Sequence, residues 1–106
     1  MKNILFVVIL TAISGASTYA ANANNGKAIY DRSCKSCHGA DGTPNPAVAK
    51  AMKVEIPDLK SPEVQALSDA DIKNVIANGK GKMRPMKAVS DSDTDNIAAY
   101  VHALKE

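Results

Sequence analysis

Two cysteines and a histidine lie close together in the segment Cys34-Lys-Ser-Cys37-His38. The Cys-x-x-Cys-His spacing is the attachment signature of c-type haem. The two thiols add across the two vinyl groups of the porphyrin as thioethers, and the neighbouring imidazole binds the iron as its proximal ligand. The motif therefore predicts one covalent haem c with its iron, attached to Cys34 and Cys37 and ligated by His38.

Two other uses of the cysteine pair fit the sequence less well. A redox-active Cys-x-x-Cys occurs beside a βαβ pattern, and no segment here alternates convincingly with the period of a strand. A zinc site needs a second pair of ligands, whereas the chain has two cysteines in all and its other imidazole is His102. Haem attachment is the interpretation that these residues favour.

The distal side of the iron needs its own ligand, and methionines are the first candidates. The chain has four of them, Met1, Met52, Met83 and Met86. Met52 lies in an alanine-rich turn, where core packing is the usual role of methionine. Met83 and Met86 share one loop, in which Gly79 and Gly81 allow the backbone to approach a ring closely. The residues alone leave both loop methionines open, and a thioether ligand from either would raise the reduction potential.

Helix-capping signals divide the chain into short helices joined by long loops. The predicted helices begin near Gly26, Ala47, Pro62, Asp69 and Asp91. Asn24 or Asn25 is expected to cap the first, which runs to about Cys34, and Gly79 to end the fourth. The last helix has apolar residues at i, i+3, i+4 and i+7 over residues 97–104. The apolar stripes are narrow, so we expect an all-α chain wrapped around an apolar group that the sequence does not encode.

The segment 1–20 has the organisation of a secretory signal peptide, with Lys2 followed by an apolar run and then small residues. The run is short for a membrane span, which needs about 20 apolar residues. Small-x-small patterns predict cleavage after Ala20 or Ala23, which leaves residues 21–106 as one small domain. We therefore expect export to the periplasm with no membrane anchor after cleavage.

Length and charge exclude several classes of protein. The chain has 106 residues, with 13 Lys and Arg against 11 Asp and Glu and a formal net charge of +2. This length excludes a multidomain enzyme, and the near balance of charge excludes a nucleic-acid binder, which carries a strong basic excess. Chains of this size bury little surface and often need a cofactor to fold, which agrees with a haem motif.

In order and spacing, these motifs resemble the small bacterial class I c-type cytochromes. Gly26-Lys-Ala-Ile-Tyr30 with the haem motif is similar to the family's N-terminal helix and haem-binding turn. Gly79-Lys-Gly-Lys-Met83 is similar to its methionine loop, and residues 90–104 to its C-terminal helix. The resemblance implies a cytochrome c-like fold of three to five short helices with long loops around one haem c. It also implies His/Met axial ligation and electron transfer by a carrier that is not an enzyme.

The resemblance also bears on the iron ligands. The family's ligand methionine follows a glycine-rich turn and precedes a proline, which favours Met83 over Met86. Arg84 stands between Met83 and Pro85, a departure from the commoner Met-Pro, and Met86 is then expected to pack at the haem edge. The family has a proline near the proximal imidazole whose carbonyl would orient that ring, and the candidates here are Pro44 and Pro46.

Two functions are compatible with the haem motif. The first is a diffusible carrier that moves one electron at a six-coordinate iron. The second is a haem-based sensor, or a small-ligand-binding or peroxidatic c-type cytochrome, with an open distal site. The methionine loop favours the carrier.

Basic residues gather on the methionine loop, at Lys80, Lys82, Arg84 and Lys87. A positive rim beside the haem would steer an acidic redox partner and speed association at low salt. We expect a monomer that meets its redox partners through this loop. His102 lies outside the apolar stripe of the last helix and is expected on the surface.

Overall fold

The computed structural model describes residues 21–104, which form six helices and no strand. The helices are α1 (Ala23–Ser33), α2 (Lys35–His38), α3 (Pro46–Met52), α4 (Pro62–Gln65), α5 (Asp69–Asn78) and α6 (Asp91–Ala103). The helical character agrees with the all-α prediction, and the count exceeds five because the haem motif forms a helix of its own. The proposed leader, residues 1–20, lies outside the described residues. No helix between residues 21 and 104 has the length and hydropathy of a transmembrane span.

The start of α1 differs from the prediction. Asn22, not Asn24 or Asn25, is the N-cap, and its side-chain oxygen accepts hydrogen bonds from the backbone N–H groups of both those residues, at 2.9 and 3.2 Å. The backbone N–H of Asn22 in turn donates to Oδ1 of Asn96, at 2.8 Å. Of the three asparagines that could cap this helix, the cap is therefore Asn22, which also contacts the last helix through Asn96.

The first and last helices cross closely, and Gly26 makes the crossing possible. Gly26 is buried, and a Cβ atom at that position would collide with the backbone oxygen of Asn96 and approach Cβ of Tyr100 to 3.0 Å. The rings of Tyr30 and Tyr100 lie beside this contact with their centroids 4.9 Å apart. The lack of a side chain at Gly26 therefore lets α1 pack against the Tyr100 side of α6.

The buried core comes from α1, α5 and α6. Its apolar cluster consists of Ile29, Ile72, Ile76, Ile97, Ala98 and Val101. The short helices α2, α3 and α4 contribute no buried residue. Gln65 fastens α4 to this core, because its amide donates to the carbonyl oxygens of Leu59 and Val101 at 2.8 and 2.9 Å. The short helices therefore form a thin outer wall whose apolar side chains face a cavity.

Local capping works as the sequence predicts at the later helices. Ser61, Ser68 and Ser90 each accept a hydrogen bond from a backbone N–H in the first turn of the helix that follows. Ser90 and Asp93 form a complete capping box. Gly79 ends α5.

Candidate haem-binding site

A cavity of about 830 Å³ opens between the core helices and the outer wall. Its volume lies within the range of cofactor and small-molecule sites, and most of its lining is apolar. The sequence-predicted site residues meet here: the lining includes Cys34, Cys37, His38, Met52, Met83 and Met86. A planar apolar group could therefore contact the motif and the methionine loop at once.

The two thiols lie at the junction of α1 and α2. Cys34 is both the C-cap of α1 and the N-cap of α2; its N–H donates to the carbonyl of Tyr30 at 2.8 Å, and its own carbonyl accepts from His38 at 3.0 Å. Both cysteines are free thiols. Burial, and secondarily Cys37, raises the pKa of the Cys34 thiol to about 11, so it stays protonated at neutral pH. The local helix thus presents both cysteine sulfurs and an imidazole to one cavity.

The carboxyl end of α2 is closed by Gly39 and Asn45. Gly39 has a φ of 74°, and a Cβ atom there would collide with the backbone oxygen of Thr43. The N–H of Asn45 donates to the carbonyl of Cys37 at 3.0 Å, and its side-chain amide donates to that of Ser36 at 3.2 Å. Carbonyl groups at a helix end lack hydrogen-bond partners within the helix. Asn45 fixes the motif because it donates hydrogen bonds to two of these carbonyls.

Tyr30 supports the same turn from inside. Its side chain is fully buried. Its hydroxyl donates a hydrogen bond to the carbonyl oxygen of Gly39 at 2.7 Å and a longer one to the carbonyl oxygen of His38 at 3.3 Å. Burial raises the pKa of Tyr30 well above its usual value, so the hydroxyl remains a donor at any physiological pH. Tyr30 is therefore a core residue that also holds the backbone of His38 and Gly39.

The imidazole of His38 is in the state that a metal requires. Desolvation by burial lowers its pKa, which favours the neutral, ligating form. Its Nδ1 is buried and has no hydrogen-bond partner among residues 21–104. The predicted contact from the carbonyl of Pro44 or Pro46 is thus not formed in this structure. A neutral imidazole in an apolar cavity, beside two thiols, fits a covalently attached haem.

The methionine loop is a tight turn anchored at both ends. Lys80 and Met83 exchange two backbone hydrogen bonds of 3.0 Å each, and Gly81, with a φ of 57°, occupies the first central position of the two-residue turn. Gly79 also has a positive φ, and a Cβ atom there would lie 2.5 Å from the oxygen of Met83. Beyond the turn, the N–H of Met86 donates to the carbonyl of Ile76 at 2.8 Å. Backbone hydrogen bonds therefore fix the conformation of this loop on both sides of Met83.

Three methionines line the cavity, one more than the sequence indicated. Met83 and Met86 also pack against the buried core, but Met52 does not belong to that cluster. Met52 therefore lies at the cavity and not in the buried cluster, because α3 belongs to the outer wall and its last residue lines the cavity; its role in packing rather than ligation stays a prediction. The Asn45–Pro46 pair, an N-cap followed by proline at N1, carried the signal for the position of this helix.

The rim of the cavity is less uniformly basic than the sequence suggested. Lys80, Lys82 and Arg84 line the cavity, but Lys87 does not, and Glu55 and Glu63 belong to the lining as well.

His102 lies outside this lining. Its two ring nitrogens contact the carbonyl of Leu67 and the carboxylate of Asp69, each at 2.8 Å. His102 therefore bridges α6 to the start of α5, a role that the sequence did not indicate.

Comparison with known proteins agrees with this geometry. The family model described as cytochrome C oxidase, cbb3-type, subunit III matches residues 21–101. Cytochrome c6 of Cyanidium caldarium is 33% identical over 104 residues, which cover 94% of this chain and 91% of that protein. The chain belongs to the small class I c-type cytochromes.

Two further similarities describe this cytochrome's relatives. The solved structure titled KustC0563 c-type cytochrome superposes with a TM-score of 0.65 at 27% identity, covering 76% of this chain and 98% of that one. The cbb3-type oxidase subunit CcoP of Azospirillum brasilense is 33% identical over 90% of this chain, which spans 32% of the CcoP length. As a member of this family, the protein carries covalent haem c with iron and transfers electrons; it is an electron carrier and not an enzyme.

Proposed function

We propose that this cytochrome is a one-electron carrier whose haem is attached to Cys34 and Cys37, with iron ligated by His38 and Met83. The observation that supports this proposal most directly is that all four residues line one cavity. When bound, the haem supplies an iron that cycles between the ferric and ferrous states. The neutral imidazole offers a lone pair to the metal, and a thioether favours the ferrous state. The apolar lining keeps water from the reacting centre.

The choice of Met83 over Met86 is supported by the turn that holds it. Two backbone hydrogen bonds with Lys80 fix Met83, and Gly79 lets the loop fold back against it. The backbone of Met86 is instead bonded to α5 through Ile76, which suits a packing role at the haem edge. The family's methionine loop, which Met83 resembles in position, points the same way.

Three methionine variants of the haem-loaded protein test the ligand. Met83→Ala should abolish the far-red sulfur–iron band, lower the reduction potential by on the order of 0.1 to 0.3 V, and open the iron to carbon monoxide or cyanide. Met86→Ala and Met52→Ala are the matched controls and should keep the band. Loss of the band in either control instead would transfer the ligand to that residue. A native protein without the band would favour a sensor or ligand-binding cytochrome with an open distal site.

We also propose that segment 1–20 is a secretory leader, cleaved after Ala20, and that the protein works in the periplasm. Cleavage after Ala23 would remove Asn22, together with the cap of α1 and the contact with Asn96. Mass spectrometry of protein from the periplasmic fraction should find Ala21 at the amino terminus. A terminus at Asn24, or retention of the protein in the cytoplasm, would contradict this proposal.

For partners, we propose a monomer that docks an acidic redox protein beside the methionine loop, within a respiratory chain. Lys80 and Arg84 at the cavity rim support electrostatic attraction. Similarity to an oxidase subunit supports a respiratory setting. Because Glu55 and Glu63 share the rim, a fitting partner carries its acidic residues on one side of its own docking face.

A further inference from the structure

Lys82 differs from the other basic residues of the methionine loop. Its ammonium donates a hydrogen bond to the carbonyl oxygen of Met52, 30 residues away in sequence. Lys82 stands in the tight turn directly before Met83, and Met52 is the last residue of α3. Both residues line the cavity, so the contact links its methionine-loop wall to its α3 wall.

The acceptor suits a cation. Carbonyls in the last turn of a helix lack partners within the helix and carry a partial negative charge. At the end of α3, Lys53 adopts a left-handed conformation, and its N–H returns to the carbonyls of Ala49 and Lys50. The carbonyl of Met52 is left for Lys82. A hydrogen bond from an ammonium is charge-assisted and therefore stronger than a neutral one.

The neighbouring cations make no such contact. Within residues 21–104, the side chains of Lys80, Arg84 and Lys87 form no ion pair and no hydrogen bond in this structure, in contrast to Lys82. The basic cluster therefore divides into three charges that are free to meet a partner and one that is committed to the protein's own backbone.

We propose that Lys82 is a positioning residue for the distal methionine, because it ties the methionine loop to the end of α3 and so resists opening of the loop away from the iron. The inference rests on the proposed ligation by Met83. The Lys80–Met83 turn is closed by two backbone hydrogen bonds, so a tie at Lys82 restrains the backbone of Met83 directly. Opening of the loop breaks the Met52–Lys82 contact at the same time as the sulfur leaves the metal.

The test uses ferric, haem-loaded protein and added imidazole, which enters when the distal methionine leaves. Lys82→Ala should speed the imidazole-dependent loss of the sulfur–iron band by about three- to tenfold, because the hydrogen bond is exposed and water competes for its donor. Lys80→Ala is the matched control: it removes the same charge from the same turn without breaking the tie, and its rate should equal that of the native protein. Lys82→Arg keeps a cationic donor and should restore most of the slow rate.

A second measurement separates positioning from general stability. Once imidazole is bound, the loop is open and the tie is already broken, so the guanidinium midpoints of the imidazole adducts should agree between Lys82→Ala and Lys80→Ala, while the rates at which imidazole displaces the methionine differ. Equal imidazole rates in these two variants would overturn the role of Lys82 and leave the ligand assignment intact. If the band is absent from the native protein or survives in Met83→Ala, the ligand assignment fails, and the positioning role fails with it.

Discussion

Two residues outside the Cys-x-x-Cys-His motif, Tyr30 and Asn45, hold its carboxyl end in place. Tyr30 reaches the carbonyls of His38 and Gly39 from the core, and Asn45 reaches those of Ser36 and Cys37 from the loop. Partners of this kind orient a ligating side chain before the metal bond forms. The position of His38, the proposed proximal ligand, therefore depends on residues that the haem signature does not include.

Tyr30→Phe tests the inner support. The variant keeps the ring but leaves the carbonyl of Gly39 without its donor, so we expect the free energy of unfolding to fall by about 1–2 kcal/mol. Tyr100→Phe is the matched control, since Tyr100 is partly exposed and its hydroxyl forms no hydrogen bond within residues 21–104. Guanidinium unfolding followed by circular dichroism measures both. Equal losses in the two variants would contradict the role given to the Tyr30 hydroxyl.

At the level of the helix, the start of α1 depends on one asparagine out of three. Asn22→Ala removes the cap and should lower the free energy of unfolding by about 1 kcal/mol. Asn24→Ala and Asn25→Ala are exposed controls that keep their backbone N–H groups and should change it by less than about 0.5 kcal/mol. Thermal unfolding of the three variants ranks them. A larger loss from either control would show that the cap lies where the sequence first suggested.

The close crossing of α1 and α6 reverses the expected sign of the stability change when Gly26 is replaced by alanine. In an open helix, glycine to alanine stabilises by about 1 kcal/mol. At Gly26 the added methyl group would meet the backbone of Asn96, so Gly26→Ala should instead destabilise by about 1–3 kcal/mol. Ala28→Ser, at an exposed position of the same helix, is the control and should stay within about 0.5 kcal/mol. An increase in the unfolding midpoint of Gly26→Ala would show that the helices are farther apart.

The features that could be predicted from sequence are mostly those decided by near neighbours. A serine cap such as Ser90 needs a backbone N–H only three residues away, and the cysteine–histidine motif carries its chemistry in five consecutive residues. The cap at Asn22 was missed because its contact lies 74 residues away at Asn96. The position of Met52 was missed for a similar reason, since only the packing of distant helices decides whether an apolar residue faces the core or a cavity.

For the molecule as a whole, the protein-only core is small. Among residues 21–104, seven apolar residues are buried, all of them from α1, α5 and α6, and the remaining helices border the cavity. A domain this small rarely folds stably without a cofactor or another cross-link. We therefore expect Cys34→Ala with Cys37→Ala, or growth without haem supply, to give a largely unfolded chain. A cooperative thermal transition with native-like helix content in the haem-free protein would defeat this expectation.

Partner association should depend on the uncommitted cations. Lys80→Gln with Lys87→Gln removes two charges and leaves Lys82 bound to its carbonyl, so the salt dependence of electron transfer to an acidic partner should flatten. At physiological salt the interaction reaches about 8–10 Å, which limits the effect to charges near the docking face. Lys27→Gln with Lys50→Gln removes the same charge away from the cavity lining and should leave the salt slope unchanged. Indistinguishable slopes in the two double variants would mean that the loop does not steer the partner.

The pairing of the first helix with the last also has a consequence in time. Asn22 and Asn96 are 74 residues apart, and at about 5–20 residues per second the ribosome adds the second about 4–15 s after the first. During that interval α1 lacks the helix that packs against Tyr30, and the cysteines beside it stand in an unfinished chain. The raised pKa of Cys34 belongs to the folded protein, so it cannot protect the nascent thiols. Because the haem-free chain is expected to stay largely unfolded, their exposure to oxidants lasts beyond synthesis, until the haem is attached.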